Sequence, residues 1–140
     1  MSLLAQAIRT SVPEGPLGYP PVRVNIQGAD GVGKSTFAAN SDDVIFLQAE
    51  DGLKYIEAAR LPVAMVWQDL LDQVKALAND AHEYKTLCLD TTDAASILAE
   101  RHVCEKEGWD SIETPGFGKG QVKVKEAWVR ILDGLQVCHD

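Results

Sequence analysis

Apolar and polar positions change period several times along the chain, and each change marks an element. From Val22 to Ile26 apolar and polar residues alternate, with β-branched side chains on the apolar positions, which predicts a strand. Thr36, Phe37, Ala38 and Ala39 then offer side chains that a helix accepts. Val44 to Leu47 is a continuous apolar run that reads as a second strand, closing on the polar stretch Gln48 to Gly52. Pro62 to Val66 reads as a weaker third strand. Beyond it, Trp67, Leu70, Leu71, Val74, Leu77 and Ala78 fall at helical spacing, so that one face of this helix belongs to a core rather than to a binding groove. A further strand, Thr86 to Leu89, runs into Asp90, Thr91, Thr92 and Asp93, and helical sequence follows from Ala94 to Glu107 and again from Val124 to Val137. Strands that alternate with helices predict a parallel sheet, the α/β class. Residues 1–21 end in a Pro- and Gly-rich run from Pro13 to Pro21 that suits neither a helix nor a central strand, and they read as an N-terminal arm before a single domain over 22–140.

Composition narrows the classes. At 140 residues and 46% hydrophobic, the chain can bury one real core. A net charge of −8 excludes a surface that holds nucleic acid everywhere, so any such contact requires a local excess of lysine or arginine. No apolar run reaches the roughly 18–20 residues of a membrane span, and the N-terminus lacks a basic segment leading into an apolar signal core. The expectation is a soluble protein of the cytoplasm. Cys88, Cys104 and Cys138 are odd in number and widely spaced, as reduced thiols are. The pairs His102 with Cys104 and Cys138 with His139 lack zinc-knuckle spacing.

Chemistry concentrates between the first strand and the first helix. Gly28, Ala29, Asp30, Gly31, Val32, Gly33, Lys34 and Ser35 fit GxxxxGK[ST], the phosphate-binding P-loop, in the strand, loop, helix context that the motif needs. Glycines allow the backbone to come close to a polyphosphate, and successive amides through Thr36, at the start of a helix, direct positive charge at it. Lys34 would reach the β- and γ-phosphates of a nucleotide. Ser35 would supply a hydroxyl oxygen to Mg²⁺, a hard cation that prefers oxygen. The plain alternative is a glycine turn carrying a surface lysine.

Two acidic residues stand at strand ends downstream. Asp90 closes an apolar strand in the Walker B manner, where a carboxylate orients Mg²⁺; otherwise it would cap the following helix, as Thr91, Thr92 or Asp93 could equally. Glu50 follows the second strand and is the candidate for positioning or deprotonating a water in line with the γ-phosphate, against a solvated loop carboxylate. Asp51 reads as the cap of a short helix over Gly52 to Tyr55. Strand ends in such sheets gather at one edge, which would bring Gly28, Glu50 and Asp90 together.

The succession GADGVGKST, FLQAEDG and TLCLDTTD resembles RecA-like P-loop ATPases, and its wording is similar to phage-encoded AAA-type nucleotide-binding proteins associated with single-strand annealing and recombination. The resemblance implies a RecA-like sheet, ATP with Mg²⁺ as cofactors, and Glu50 as the catalytic carboxylate, since that group carries an acidic residue at this strand end. It also implies completion of the site by a neighbouring copy, hence a homo-oligomer. The run Gly116 to Gly120 is similar to a glycine-rich turn of these phage proteins, in a region that in RecA-like proteins approaches single-stranded DNA. Lys119, Lys123 and Lys125 are therefore candidate contacts to a DNA backbone, with a solvated helix start as the alternative. Phe117 and Trp109 could stack on bases or fill local packing. In the RecA-like sheet one more strand inserts between the P-loop strand and the Walker B strand. This sequence stops at Leu135 to Asp140 where that strand is due, so the resemblance implies a fragment or a shortened relative.

Other classes compete. A nucleotide-binding module without catalysis would share every feature above. A small-molecule or nucleoside kinase also joins a P-loop to a parallel sheet but needs a cationic lid, and no arginine-rich segment supplies one. A GTPase would carry an Asn-Lys-x-Asp segment, which does not occur.

Overall fold

The computed structural model describes residues 22–138. The arm over 1–21, His139 and Asp140 lie outside the described residues. Among the described residues three parallel strands form the sheet: β1 (Val44–Gln48), β2 (Ala59–Arg60) and β3 (Thr86–Asp90), in the order β2-β1-β3. The helices described alongside them are α1 (Lys34–Ala39), α2 (Trp67–Asn79), α3 (Thr92–Glu107) and α4 (Lys119–Val137).

The central strand explains its own sequence. Every residue of β1 is buried, which a parallel strand covered on both faces requires and which an unbroken apolar run can satisfy. Alternate side chains divide between two cores. Leu47 joins Trp67, Leu70, Val74, Leu98, Val124 and Ile131 between the sheet and helices α2, α3 and α4, and Leu87 and Leu89 pack against the same cluster. Val44 and Phe46 join Ala38 of α1 and Leu53 on the other face, with Cys88 beside them. Trp67 is 1% exposed at the start of α2 and meets Trp128 of α4 edge to face, with ring centroids 5.3 Å apart. Each such fully buried large side chain contributes about 1.5–3 kcal/mol, and the helical side, with Trp67, Leu47, Leu70 and Ile131, is the larger of the two cores.

Three sequence expectations are corrected. The stretch from Val22 to Ile26 forms no strand: β3 is the edge of the sheet, and Val22 and Val24 are 82% and 69% exposed. Alternation makes a strand only where a neighbour completes the ladder of N–H and C=O groups, and the described residues offer none here. The third strand is Ala59–Arg60 rather than Pro62 to Val66. Leu61 and Ala64 do continue alongside β1, donating from their amides to Phe46 O (2.9 Å) and Gln48 O (2.8 Å), but Pro62 has no N–H and the ladder breaks. Asp51 caps no helix; Lys54 and Tyr55 form a turn closed by Ile56 N donating to Leu53 O (3.1 Å), and Asp51 pairs with Lys54 at 3.2 Å.

Helix ends follow their capping chemistry. Asp69 accepts from the amides of Met65 (2.8 Å) and Val66 (3.1 Å), closing the start of α2 and placing negative charge at its positive pole. Gly108 ends α3 at φ 70°, a left-handed turn that suits glycine. α4 begins at Lys119, five residues ahead of the expected Val124, and Gly120 in its first turn lies directly on the backbone of Ile112.

Candidate functional site

The loop before α1 is shaped by its glycines. Gly31 and Gly33 stand at φ 74° and 99°, in the region that side chains with a Cβ rarely enter, and Gly33 directly precedes Lys34, the first residue of α1. The first i to i−4 bond of the helix runs from Phe37 N to Gly33 O at 2.8 Å, which leaves the amides of Lys34, Ser35 and Thr36 without acceptors inside the helix. Lys34 folds over the loop. Its Nζ donates to Gly28 O (2.7 Å) and Ala29 O (2.9 Å) and lies 3.9 Å from Asp30, whose carboxylate is fully exposed. An ammonium has three N–H donors, so one remains for an anion beyond the two loop carbonyls.

The loop is fastened to the sheet at one point. Ser35 Oγ donates to Asp90 Oδ2 at 2.6 Å, a short charge-assisted bond that spans 55 positions of sequence. It joins Ser35, at the start of α1, to the strand-ending Asp90, and both are oxygen donors of the kind Mg²⁺ accepts. Among the described residues no group of three or more His, Cys, Asp or Glu could hold a metal. The donor set thus fits a cation that takes one carboxylate and one hydroxyl from protein and its remaining ligands from phosphates and water. Asp90 caps nothing: the N-cap of α3 is Thr91, whose Oγ1 accepts from Ala94 N at 3.2 Å.

The parallel ladder brings the second acidic residue alongside. Gln48 of β1 is in register with Asp90 of β3, and the next amide, Ala49 N, donates to Asp90 O at 3.0 Å. Glu50 therefore emerges beside Thr91, which donates from Oγ1 to Glu50 Oε1 at 2.8 Å. Buried Gln48 steadies this edge by donating from Nε2 to Leu61 O (2.8 Å). Lys34, Ser35, Asp90, Thr91 and Glu50 form one chain of neighbours along the carboxyl end of the sheet. Cys88 lies one turn of the pleat below Asp90. Burial, with the negative charge of Asp90, pushes its thiol up to about 11, so it is a neutral packing group.

Thr91 was visible in the sequence only as one of three equivalent caps. The signal that could have distinguished it is position: it directly follows the strand-ending acid, where a parallel register exposes it to the neighbouring strand's end.

The lysines after β3 separate. Lys119 and Lys123 lie one turn apart on α4, and Arg130 shares their flank, whereas Lys125 is about 200° around the helix from Lys123. Lys123 is engaged by Glu107 (4.0 Å) and Glu126 (3.4 Å). Trp109 packs against the main core, but Phe117 is 102% exposed in a turn where Gly116, Phe117 and Gly118 all have positive φ.

A family model described as an AAA domain matches residues 20–140. The chain belongs to the AAA domain family. An AAA domain with this loop is a nucleotide-binding P-loop protein, and the three-stranded parallel sheet with flanking helices agrees with it. The chain is also similar to the SPbeta prophage-derived uncharacterized protein YorG of Bacillus subtilis (strain 168), with 27% identity over 114 residues, covering 77% of this chain and 35% of that protein. It thus spans about a third of the length of that curated relative. No solved structure matches the chain. Among the described residues no helix of this AAA domain is long and apolar enough to cross a membrane.

Proposed function

We propose that this AAA domain binds ATP with Mg²⁺ and hydrolyses it in the service of phage DNA recombination or single-strand annealing. The observation that carries the reading is the Ser35 to Asp90 bond, because it ties the phosphate loop to the strand end beside which Glu50 emerges. The loop amides and Lys34 bind and orient the triphosphate. Ser35 and Asp90 would hold Mg²⁺, which when bound neutralises phosphate charge. The Glu50 carboxylate takes a proton from water as the water oxygen bonds to the γ-phosphorus; the bond to the bridging oxygen breaks and ADP leaves with that electron pair. The phage setting is supported by the prophage origin of the relative, and the recombination role by the resemblance to annealing-associated ATPases. Single-stranded DNA would meet Lys119 and Phe117 at the glycine turn, and a second copy of the chain would complete the site.

Isothermal titration with ATP and Mg²⁺, paired with phosphate release in the presence and absence of single-stranded DNA, tests the reading. Lys34→Ala is expected to abolish uptake, and Glu50→Gln to keep uptake while turnover falls by about 100-fold or more. Wild-type hydrolysis by the Glu50 variant would reject that assignment. One observation favours a second reading, nucleotide binding without turnover: residues 22–26, which lead into the loop, make no ladder with β3. Stoichiometric ATP uptake with no phosphate release would select it.

A further inference from the structure

The geometry points to Thr91 as a positioning residue that aims the Glu50 carboxylate, an inference that rests on the proposed hydrolytic role of Glu50. A hydroxyl has one proton and two lone pairs. In Thr91 a lone pair is committed, because Oγ1 accepts from Ala94 N (3.2 Å) as the cap of α3. The proton is then directed at Glu50 Oε1, 2.8 Å away. Among the described residues this is the only side-chain hydrogen bond that Glu50 makes, and the residue is otherwise exposed. An exposed glutamate ordinarily samples many rotamers, worth up to about 2 kcal/mol of side-chain entropy. Here one oxygen is held and the other is left to receive a proton.

The backbone makes the arrangement rigid. The rung from Ala49 N to Asp90 O is the last of the β1 to β3 ladder, and Glu50 and Thr91 are the next residue on each strand. Thr91 also begins the connection to α3, whose Ala95, Leu98, Ala99 and Val103 are buried in the main core. The hydroxyl is thereby anchored to the sheet through its backbone and to the helix through its cap, so the carboxylate inherits the precision of both. The neighbouring Thr92 and Asp93 are exposed and lack this double anchorage.

Turnover at saturating ATP, ATP affinity and thermal stability, measured on the full-length protein, separate aiming from capping. Thr91→Ser keeps both the donor and the cap and is expected to retain turnover within about threefold. Thr91→Asp keeps a capping acceptor but has no proton to donate, and Thr91→Val has neither; both are expected to lose about 10- to 100-fold in kcat with a much smaller change in KM. Because Thr91→Asp also sets a second carboxylate against Glu50, Thr91→Val is the decisive variant, and a kcat loss at a temperature where melting shows it fully folded excludes a merely structural loss. Full turnover in both Thr91→Asp and Thr91→Val, with Glu50→Gln inactive, would overturn the role of Thr91 alone. Full turnover in Glu50→Gln would instead overturn the reading beneath it.

Discussion

Ser35 and Asp90 stand 55 positions apart in sequence and are joined by a 2.6 Å hydrogen bond from the serine hydroxyl to the aspartate carboxylate. A loop with little apolar anchorage is thereby held against the carboxyl end of β3. In a double-mutant cycle of Ser35→Ala with Asp90→Asn, urea unfolding should report a coupling of about 1 kcal/mol without nucleotide. Strictly additive effects would mean that the bond contributes nothing to docking the loop.

Gly120 is buried under the loop that leads to α4, and an added Cβ would stand 1.9 Å from Ile112 O. Neither group is the free end of a side chain, so the helix itself must move. Gly120→Ala is expected to destabilise by about 3 kcal/mol, read as a lower urea midpoint. Gly31→Ala, where space is open but φ is 74°, should cost about 1 kcal/mol through backbone strain alone. Equal stability of the two variants would contradict the close approach at Gly120.

Cys88 titrates at about 11 in the folded protein, raised first by burial and then by Asp90. The unfolded chain releases this proton earlier, at about 8.5. Between those values the native state binds more protons, so stability conferred by the neutral thiol is complete below about pH 8.5 and declines as pH rises toward 11. Cys88→Ala or Cys88→Ser should flatten that decline in pH-dependent unfolding. Alkylation by iodoacetamide at pH 8 should be much slower at Cys88 than in the unfolded chain.

If the glycine turn meets single-stranded DNA, Lys119→Ala should weaken binding and lower the log–log salt slope by about one, measured by fluorescence anisotropy across salt concentrations. Lys123, already held by Glu107 and Glu126, should contribute less. Identical losses at Lys119, Lys123 and Lys125 would argue against a contact confined to one flank of α4.

The alternation of apolar runs with helical stripes makes the α/β class, strands β1 and β3, and helices α2 and α3 legible in the sequence. These elements are specified locally, by a periodicity that a short window contains. The left-handed turns of Gly31 and Gly33 were likewise legible in eight consecutive residues, since backbone freedom is a property of neighbours in sequence. What only the tertiary structure decided is pairing. Val22 to Ile26 alternates as a strand does, yet strandness depends on a partner whose position no local pattern encodes, and the segment remains outside the sheet. Thr91 was one cap among three until the register of β1 against β3 set it beside Glu50, and Lys119 and Lys125 resembled one basic island until helical geometry turned them to different sides. Distances between residues far apart in sequence follow from how strands and helices stack, so the chemistry of each group is written in the chain while its neighbours are written in the fold.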